Sequence, residues 1–421
     1  MITIATRTFP LLLGIGLLLV GIGLQGTLLA LRANLEGFAV TITGLMMSAY
    51  FLGFIVGTFL CPKLIRGVGH IRAFSAFAAI TAAAAIAHGM VIEPWLWSVL
   101  RIITGTCMVG IYMVIESWLN AMAPNEQRGR FFAVYTIITL LAMALGQYLI
   151  LVAEIGGYQL FSLTALLVAL AVVPVALTRI LQPASVVAPP LSLKQLHHSS
   201  PLGVSGALIS GIINGAFWGL GALFARRIGM DDTGIALFMS LTIIGGALLQ
   251  WPIGHLSDRF DRRCVLVWVS FATAALAVAA YFSVDISHTL LIALAVVYGG
   301  FAFSLYGLSV AHVNDHLEHE QILEASRALL LIYGAGAVIG PTIAGYFMQH
   351  IGPGSLLLFL AASLLPLGLL GLYRIRVGKT IPNEEQMEFA PMVRTSPVAL
   401  EMDPRLDSEE ENRDEAEAAK P

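Results

Sequence analysis

Twelve apolar stretches follow one another along the chain, each long enough to cross a bilayer and each set off by a short polar joint. A hydrocarbon core about 30 Å thick needs about 20 apolar residues per helix. The runs fall at about 9–31, 40–60, 73–92, 95–119, 131–153, 158–178, 202–224, 233–253, 264–282, 288–312, 326–348 and 355–373. The pattern predicts an all-α membrane protein with twelve spans. Composition agrees, with only 12% of residues charged against about 25% in soluble domains. The first run exceeds the length of a signal-peptide core and lacks a small-x-small cleavage site, so it is read as a retained span. Cys61, Cys107 and Cys264 are scattered, which gives neither a disulfide framework nor a CxxC metal or redox pair.

Basic residues of the short joints orient the spans. Lys63, Arg66, Arg72, Arg128, Arg130, Arg259, Arg262, Arg263, Arg327 and Arg374 fall on one side, while the other holds Arg32, Arg226 and Arg227. Cytoplasmic loops carry the Lys/Arg excess, so both termini are expected in the cytoplasm. The longest internal joint contains Pro183, Pro189 and Pro190 and splits the spans six and six. The division expected is a six-helix bundle at 1–178, a linker at 179–201, a second six-helix bundle at 202–378 and a tail at 379–421. From Thr380 onward there are twelve acidic and four basic residues, a composition that predicts a disordered, solvated tail. The halves echo each other: Asn120 leads through a polar turn to Arg130, as Asn314 does to Arg327. Repeated halves are typical of secondary transporters, with the substrate site between them near the midplane.

Between the eighth and ninth runs, "GHLSDRFDRRCVL" crowds Asp258, Arg259, Asp261, Arg262 and Arg263 into six positions. Gly254 permits close backbone approach, and Asp258 can accept from Arg262 one turn on if the segment stays helical. The pattern Gly254-x-x-x-Asp258-Arg259-x-x-Arg262-Arg263 resembles the signature loop of the major facilitator superfamily, with Asp261 where the general pattern has glycine. "SDRFDRR", "IESWLN" and "NDHLE" together resemble a narrower bacterial branch, the YcaD-like transporters. The resemblance covers about residues 7–378 and implies a bacterial inner-membrane protein. The charged loop is expected to hold the cytoplasmic ends of the two halves together as a gate. The matching first-half stretch keeps Gly57 but has Cys61 in place of the acid, so the gate is expected to be asymmetric.

Run four contains Arg101 and Glu116, and an ionisable group at a span's centre costs about 2.5–3.5 kcal/mol on insertion scales. Arg101 with Gly105 resembles the superfamily's fourth-span R-x-x-x-G element, linked with proton coupling. Helix rise separates Arg101 and Glu116 by about 22 Å, so they cannot pair. Glu116 is either a proton-carrying carboxyl or the structural partner of a cytoplasmic arginine such as Arg130. Gln25, Tyr112, Asn214, Trp218, Tyr298 and Tyr306, on runs 1, 4, 7 and 10, are candidates for lining a substrate cavity. Gly336, Gly340 and Pro341 resemble a G-x-x-x-G-P element and are expected to act as a bending or packing hinge. His312, His316 and His319 sit at a helix end, where solvated side chains are expected rather than a metal site.

No Walker A, HExxH or GxSxG pattern is present. The function expected is a secondary active transporter for a small molecule, proton-coupled and working by alternating access, with efflux of amphipathic compounds as one direction. It would use a proton gradient and no cofactor, bind no nucleic acid, and act as a monomer in the bilayer. A receptor or scaffold signalling through the acidic tail is the alternative.

Overall fold

A computed structural model describes residues 2–123, 128–177, 196, 198–317 and 319–377, together with Gln386, Phe389, Thr395, Ser396 and Val398 of the tail. Most of the expected linker and tail lies outside the described residues. Twelve long helices run through the described chain, which contains no strand. They are α1 (Ile2–Leu35), α2 (Val40–Val68), α3 (His70–Met90), α4 (Pro94–Met122), α5 (Arg128–Tyr148), α6 (Gln159–Ala176), α7 (Pro201–Arg227), α8 (Asp232–Arg259), α9 (Arg262–Ser283), α10 (His288–Asn314), α11 (His319–His350) and α12 (Ser355–Val377).

Every expected span is present, but several helices outrun their apolar cores. α2 continues past Lys63 and Arg66 to Val68, and α8 carries Asp258 and Arg259 in its last turn. Once a helix has been nucleated in the membrane, each added residue gains a hydrogen bond, so polarity alone does not end it. What ends these helices is local chemistry. Gly69 takes φ +85, a left-handed geometry open to glycine, and joins α2 to α3 by itself. Pro94 and Pro201 open α4 and α7, where a missing N–H costs nothing. Asp231 and Ser287 cap α8 and α10 by accepting from Gly234 N–H and Leu290 N–H.

Within residues 2–177, α4 packs on α2 and α3 while α1 packs on α5 and α6; within 198–377, α7 packs on α11, α8 on α10 and α9 on α12, and the α2–α11 and α5–α8 seams join the two sets. α7, α4 and α1 bury the largest shares of their apolar windows, 78%, 72% and 67%, against 39% for α6. They are therefore the inner helices, where facing side chains from both halves can meet. Outward faces carry exposed Phe59, Leu145, Trp251, Trp268 and Phe282, an apolar girdle suited to lipid. Because the number of spans is even, both termini lie at one end of the bundle, called here the terminal end. The other end, bearing the joints at 36–39, 152–158, 228–231 and 351–354, is the far end.

Within each half, glycine lets helix backbones touch. A Cβ on Gly105 would sit 2.0 Å from the Tyr50 carbonyl oxygen, and one on Gly53 2.0 Å from that of Ile102, sealing α4 to α2. In the second half, Gly211 and Gly336 do the same for α7 and α11, at 2.0 Å from Tyr333 O and 2.2 Å from Leu208 O. Such small-residue seams are how helices associate where lipid offers no hydrophobic driving force.

Candidate functional site

A cavity of about 180 Å³ lies midway along the bundle, between the halves. Arg101 of α4 reaches its wall, 7% exposed, with Cζ 4.3 Å from the centre of the Tyr50 ring. Trp218 of α7 stacks on Phe303 of α10, with ring centres 5.8 Å apart and planes 7° from parallel, and both line the space. Tyr112, Thr136, Thr139 and Gln147 complete a polar side. Gln147 is fixed by donating from Nε2 to Gly23 O and Met143 O, both at 3.1 Å, and it accepts from Thr27 Oγ1. The wall thus offers one guanidinium, flat aromatic faces and a few oriented amide and hydroxyl groups, the usual makeup of a small-molecule site.

Two of the six expected lining residues, Tyr112 and Trp218, face this cavity. Gln25, Asn214, Tyr298 and Tyr306 are buried but do not line it. Helical spacing orders residues around a helix without fixing which face turns inward. α5 was overlooked, although Thr136, Thr139, Met143 and Gln147 repeat at three or four residues and mark one face.

Glu116 is fully buried on α4, toward the terminal end. It accepts from Tyr135 Oη at 2.6 Å and from the hydroxyls of Thr395 and Ser396. Arg130 is exposed at the start of α5, so hydroxyl groups rather than that arginine meet the carboxylate.

In the charged loop, only Phe260 and Asp261 separate α8 from α9. The segment does not stay helical, yet Arg262 Nη2 still reaches Asp258 Oδ1 at 3.0 Å. Its Nη1 donates to both oxygens of Asp315, at 2.7 and 2.8 Å, with side chains 1% and 2% exposed. Arg263 holds Asp261 through Nε and Nη2, at 3.1 and 2.7 Å, and reaches Arg374 O at 3.4 Å. These contacts bind the ends of α8, α9, α10 and α12 to one another. The charged loop was expected to hold the two halves together; the pairs described here lie within the second half. Arg262 is drawn inward because Asp315, at the end of α10, offers a bidentate partner within the same half. Arg259 and Gly254 flank this cluster, the first exposed and the second buried against Phe389.

Gly57 faces α4, where an added Cβ would sit 2.3 Å from Val109 Cγ1, and Cys61 Sγ donates to Thr106 O at 3.3 Å. Both belong to the α2–α4 seam. Gly340 seals α11 to α7, while Pro341 presents its carbonyl to Gly44 of the first half. His312 is 5% exposed and packs edge-on against His316, with ring centres 4.7 Å apart. That differs from the solvated side chain expected, because α10 continues to Asn314 and carries His312 inside the bundle.

Asp261 also caps α9 by accepting from Arg263 N–H at 3.0 Å. Burial pushes its carboxyl up, but hydrogen bonds from the Arg263 side chain and amide, with the charge of Arg263, outweigh this and hold it below its ordinary value. A depressed acid stabilises the fold fully above its unfolded pKa, about 3.9, and less as pH falls through the folded value. Asp261→Asn should therefore lower the melting temperature in detergent at pH 7, and the gap from wild type should close on acidification below about pH 4. A gap that persists unchanged in acid would refute this role.

Among the described residues, hydrogen bonds join the halves toward the far end. Val40 N–H donates to Gln349 Oε1 at 2.7 Å, Ser48 and Thr342 share a hydroxyl contact at 2.8 Å, Arg227 donates to Asn34 at 3.0 Å and Ser240 to Tyr148 at 3.0 Å. The backbones of Gly44, Pro341 and Gly345 meet in the same region. The cavity is thus shut from the far end by direct helix contact.

Two matches to the Major Facilitator Superfamily family model cover residues 11–204 and 203–402, one per half. The uncharacterized MFS-type transporter YcaD of Salmonella typhi is 33% identical over 394 residues, covering 90% of this chain and 98% of the relative. The MFS-type transporter Ent638_1421 of Enterobacter sp. (strain 638) is 31% identical over 368 residues, with 86% and 94% covered. The chain belongs to the major facilitator superfamily and is a membrane transporter resembling the YcaD proteins. Among solved structures, the nucleoside transporter NupG aligns with TM-score 0.73 at 14% identity, covering 88% of this chain and 99% of that one. A bacterial homologue of the human lysosomal transporter Spinster, inward-facing and unoccupied, aligns with TM-score 0.68 at 14% identity, with 96% and 98% covered. These two likenesses concern the fold.

Proposed function

We propose that the protein is a proton-coupled secondary transporter that moves an amphipathic small molecule by alternating access across a bacterial inner membrane. The observation that carries this reading is the placement of one polar-aromatic cavity between two six-helix halves that touch directly toward the far end. Opening that contact while the terminal ends approach each other would expose the same cavity to the opposite side. With both termini in the cytoplasm, as the basic residues of the joints favour, the conformation described is inward-facing. Arg101 suits an acceptor or anionic group, and the Trp218–Phe303 stack suits a flat apolar body. The burial of Glu116 among hydroxyl groups supports its role as the carboxyl that carries the proton. The protein acts as a monomer with the proton gradient as its energy source, and efflux is the direction that an amphipathic cargo favours.

Reconstituted vesicles enclosing a pH-sensitive dye test this directly. Addition of an amphipathic compound from a panel of aromatic acids and toxic dyes should collapse an imposed proton gradient in wild type. In Glu116→Gln that response should fall at least tenfold, while downhill exchange of the compound persists. Equal proton movement in the variant would remove Glu116 from the coupling role. Uphill movement with no proton gradient would overturn coupling itself.

A further inference from the structure

Beyond α12, described residues of the tail do not stand in solvent but lie in the terminal-end opening between the halves. Phe389 N–H donates to Asp258 Oδ1 at 2.9 Å. Its ring fills a slot between α8 and α10 that two glycines leave open. A Cβ on Gly254 would fall 1.9 Å from Phe389 Cδ1, and one on Gly307 3.0 Å from Cε2. Thr395 and Ser396 are 6% and 1% exposed, and their hydroxyls donate to Oε1 and Oε2 of Glu116 in the other half. Ser396 Oγ also accepts from Val398 N–H at 3.1 Å, and Val398 packs on an apolar cluster to which both halves contribute. Thr395 itself forms part of the wall of the central cavity. The tail was expected to be solvated throughout. At these positions it is not, because an aromatic slot and a buried carboxylate offer it better partners than water does.

We infer that the terminal-end opening is a binding surface for the chain's own C-terminal segment, which plugs the cavity in this conformation. Its described residues bridge the halves, with Phe389 on Asp258 of the second and Thr395 and Ser396 on Glu116 of the first. Its contacts are of the kind that hold a peptide in place: a ring in a fitted slot, a charge-assisted backbone bond, and two hydroxyls on a buried carboxylate. It also occupies space. At about 180 Å³ the remaining cavity is smaller than the usual 300–1,000 Å³ of a small-molecule site. Cargo, and any proton bound for Glu116, must wait for the segment to leave. The surface stands whether or not the transport reading holds.

Cysteine accessibility tests the plug without reference to flux. In a background lacking Cys61, Cys107 and Cys264, Thr139→Cys places a reporter on the cavity wall of the protein in lipid nanodiscs. Its labelling by a bulky charged maleimide should be slow in the full chain. Labelling should rise at least about tenfold, equivalent to about 1.4 kcal/mol, in a chain ending at Thr380. The same rise is expected in a full-length chain carrying Phe389→Ala, Thr395→Val and Ser396→Ala. A synthetic peptide with the sequence of residues 386–398 should slow the truncated chain again, and a scrambled peptide should not. Equal rates in all three chains would overturn the plug. So would protection of the truncated chain by both peptides.

Discussion

Asp315→Ala should cost about 3–5 kcal/mol of stability, the range measured when one partner of a buried ion pair is removed. Arg262 and Asp315 have side chains only 1% and 2% exposed and meet through two bonds of 2.7 and 2.8 Å. Removing the carboxylate leaves a buried guanidinium, fixed in charge at any accessible pH, that has lost its bidentate contact and keeps Asp258 at 3.0 Å. Asp315→Asn should cost less, because the amide oxygen still accepts one bond. Asp258→Asn should cost least, about 1 kcal/mol, since that carboxylate is 24% exposed and water can replace it. Asp258→Asn should in addition loosen Phe389, whose amide that carboxylate receives. Thermal loss of the monodisperse peak in detergent measures the order. Asp315→Ala and Asp258→Asn melting together would show that the buried pair is not what braces the second half.

Gly44→Ala should change which conformation the protein occupies rather than whether it folds. The added Cβ would sit 2.3 Å from Pro341 O and 3.1 Å from Pro341 C, and neither backbone atom can rotate away. Overpacking of this kind costs about 1–3 kcal/mol, here charged to the contact between halves, a shift of about 5- to 150-fold in population. Packing of α2 on α4 within the first half is untouched. Gly53→Ala is the contrast, because its Cβ would strike Ile102 O at 2.0 Å inside one half, so it should lower the yield of folded protein. A Ser48→Cys reporter, at the hydroxyl contact with Thr342, should label faster in Gly44→Ala than in wild type. No change in that rate would place the closing contact elsewhere.

The sequence disclosed the spans because lipid imposes one rule along the whole chain: a long apolar run must become a helix. It disclosed the charged loop because acids and arginines at fixed offsets are rare between such runs. It did not disclose what that loop holds. Arg262 could reach an acid in either half on charge alone, and only the packing of α9 against α10 selects Asp315. Cavity residues were legible only in part: Tyr112 and Trp218 line it, Gln25 and Asn214 do not, and the contributions of α2, α5, α8 and α11 depend on packing that helical spacing does not fix. Glu116 was recognisable as a buried acid, but its hydroxyl partners come from Tyr135 and from a tail more than 250 residues away. The acidic composition of that tail hid a less charged stretch holding Phe389, Thr395 and Ser396.

Phe389 lies twelve residues past Val377, where α12 ends. That short tether fixes a local concentration. A tether of such length holds a ligand at an effective concentration on the order of millimolar, so a segment with only weak intrinsic affinity would still occupy its slot most of the time. The same peptide supplied from solution must be present at about that concentration to compete. A partner that draws the acidic end of the chain away need supply only a small free energy to leave the opening unobstructed.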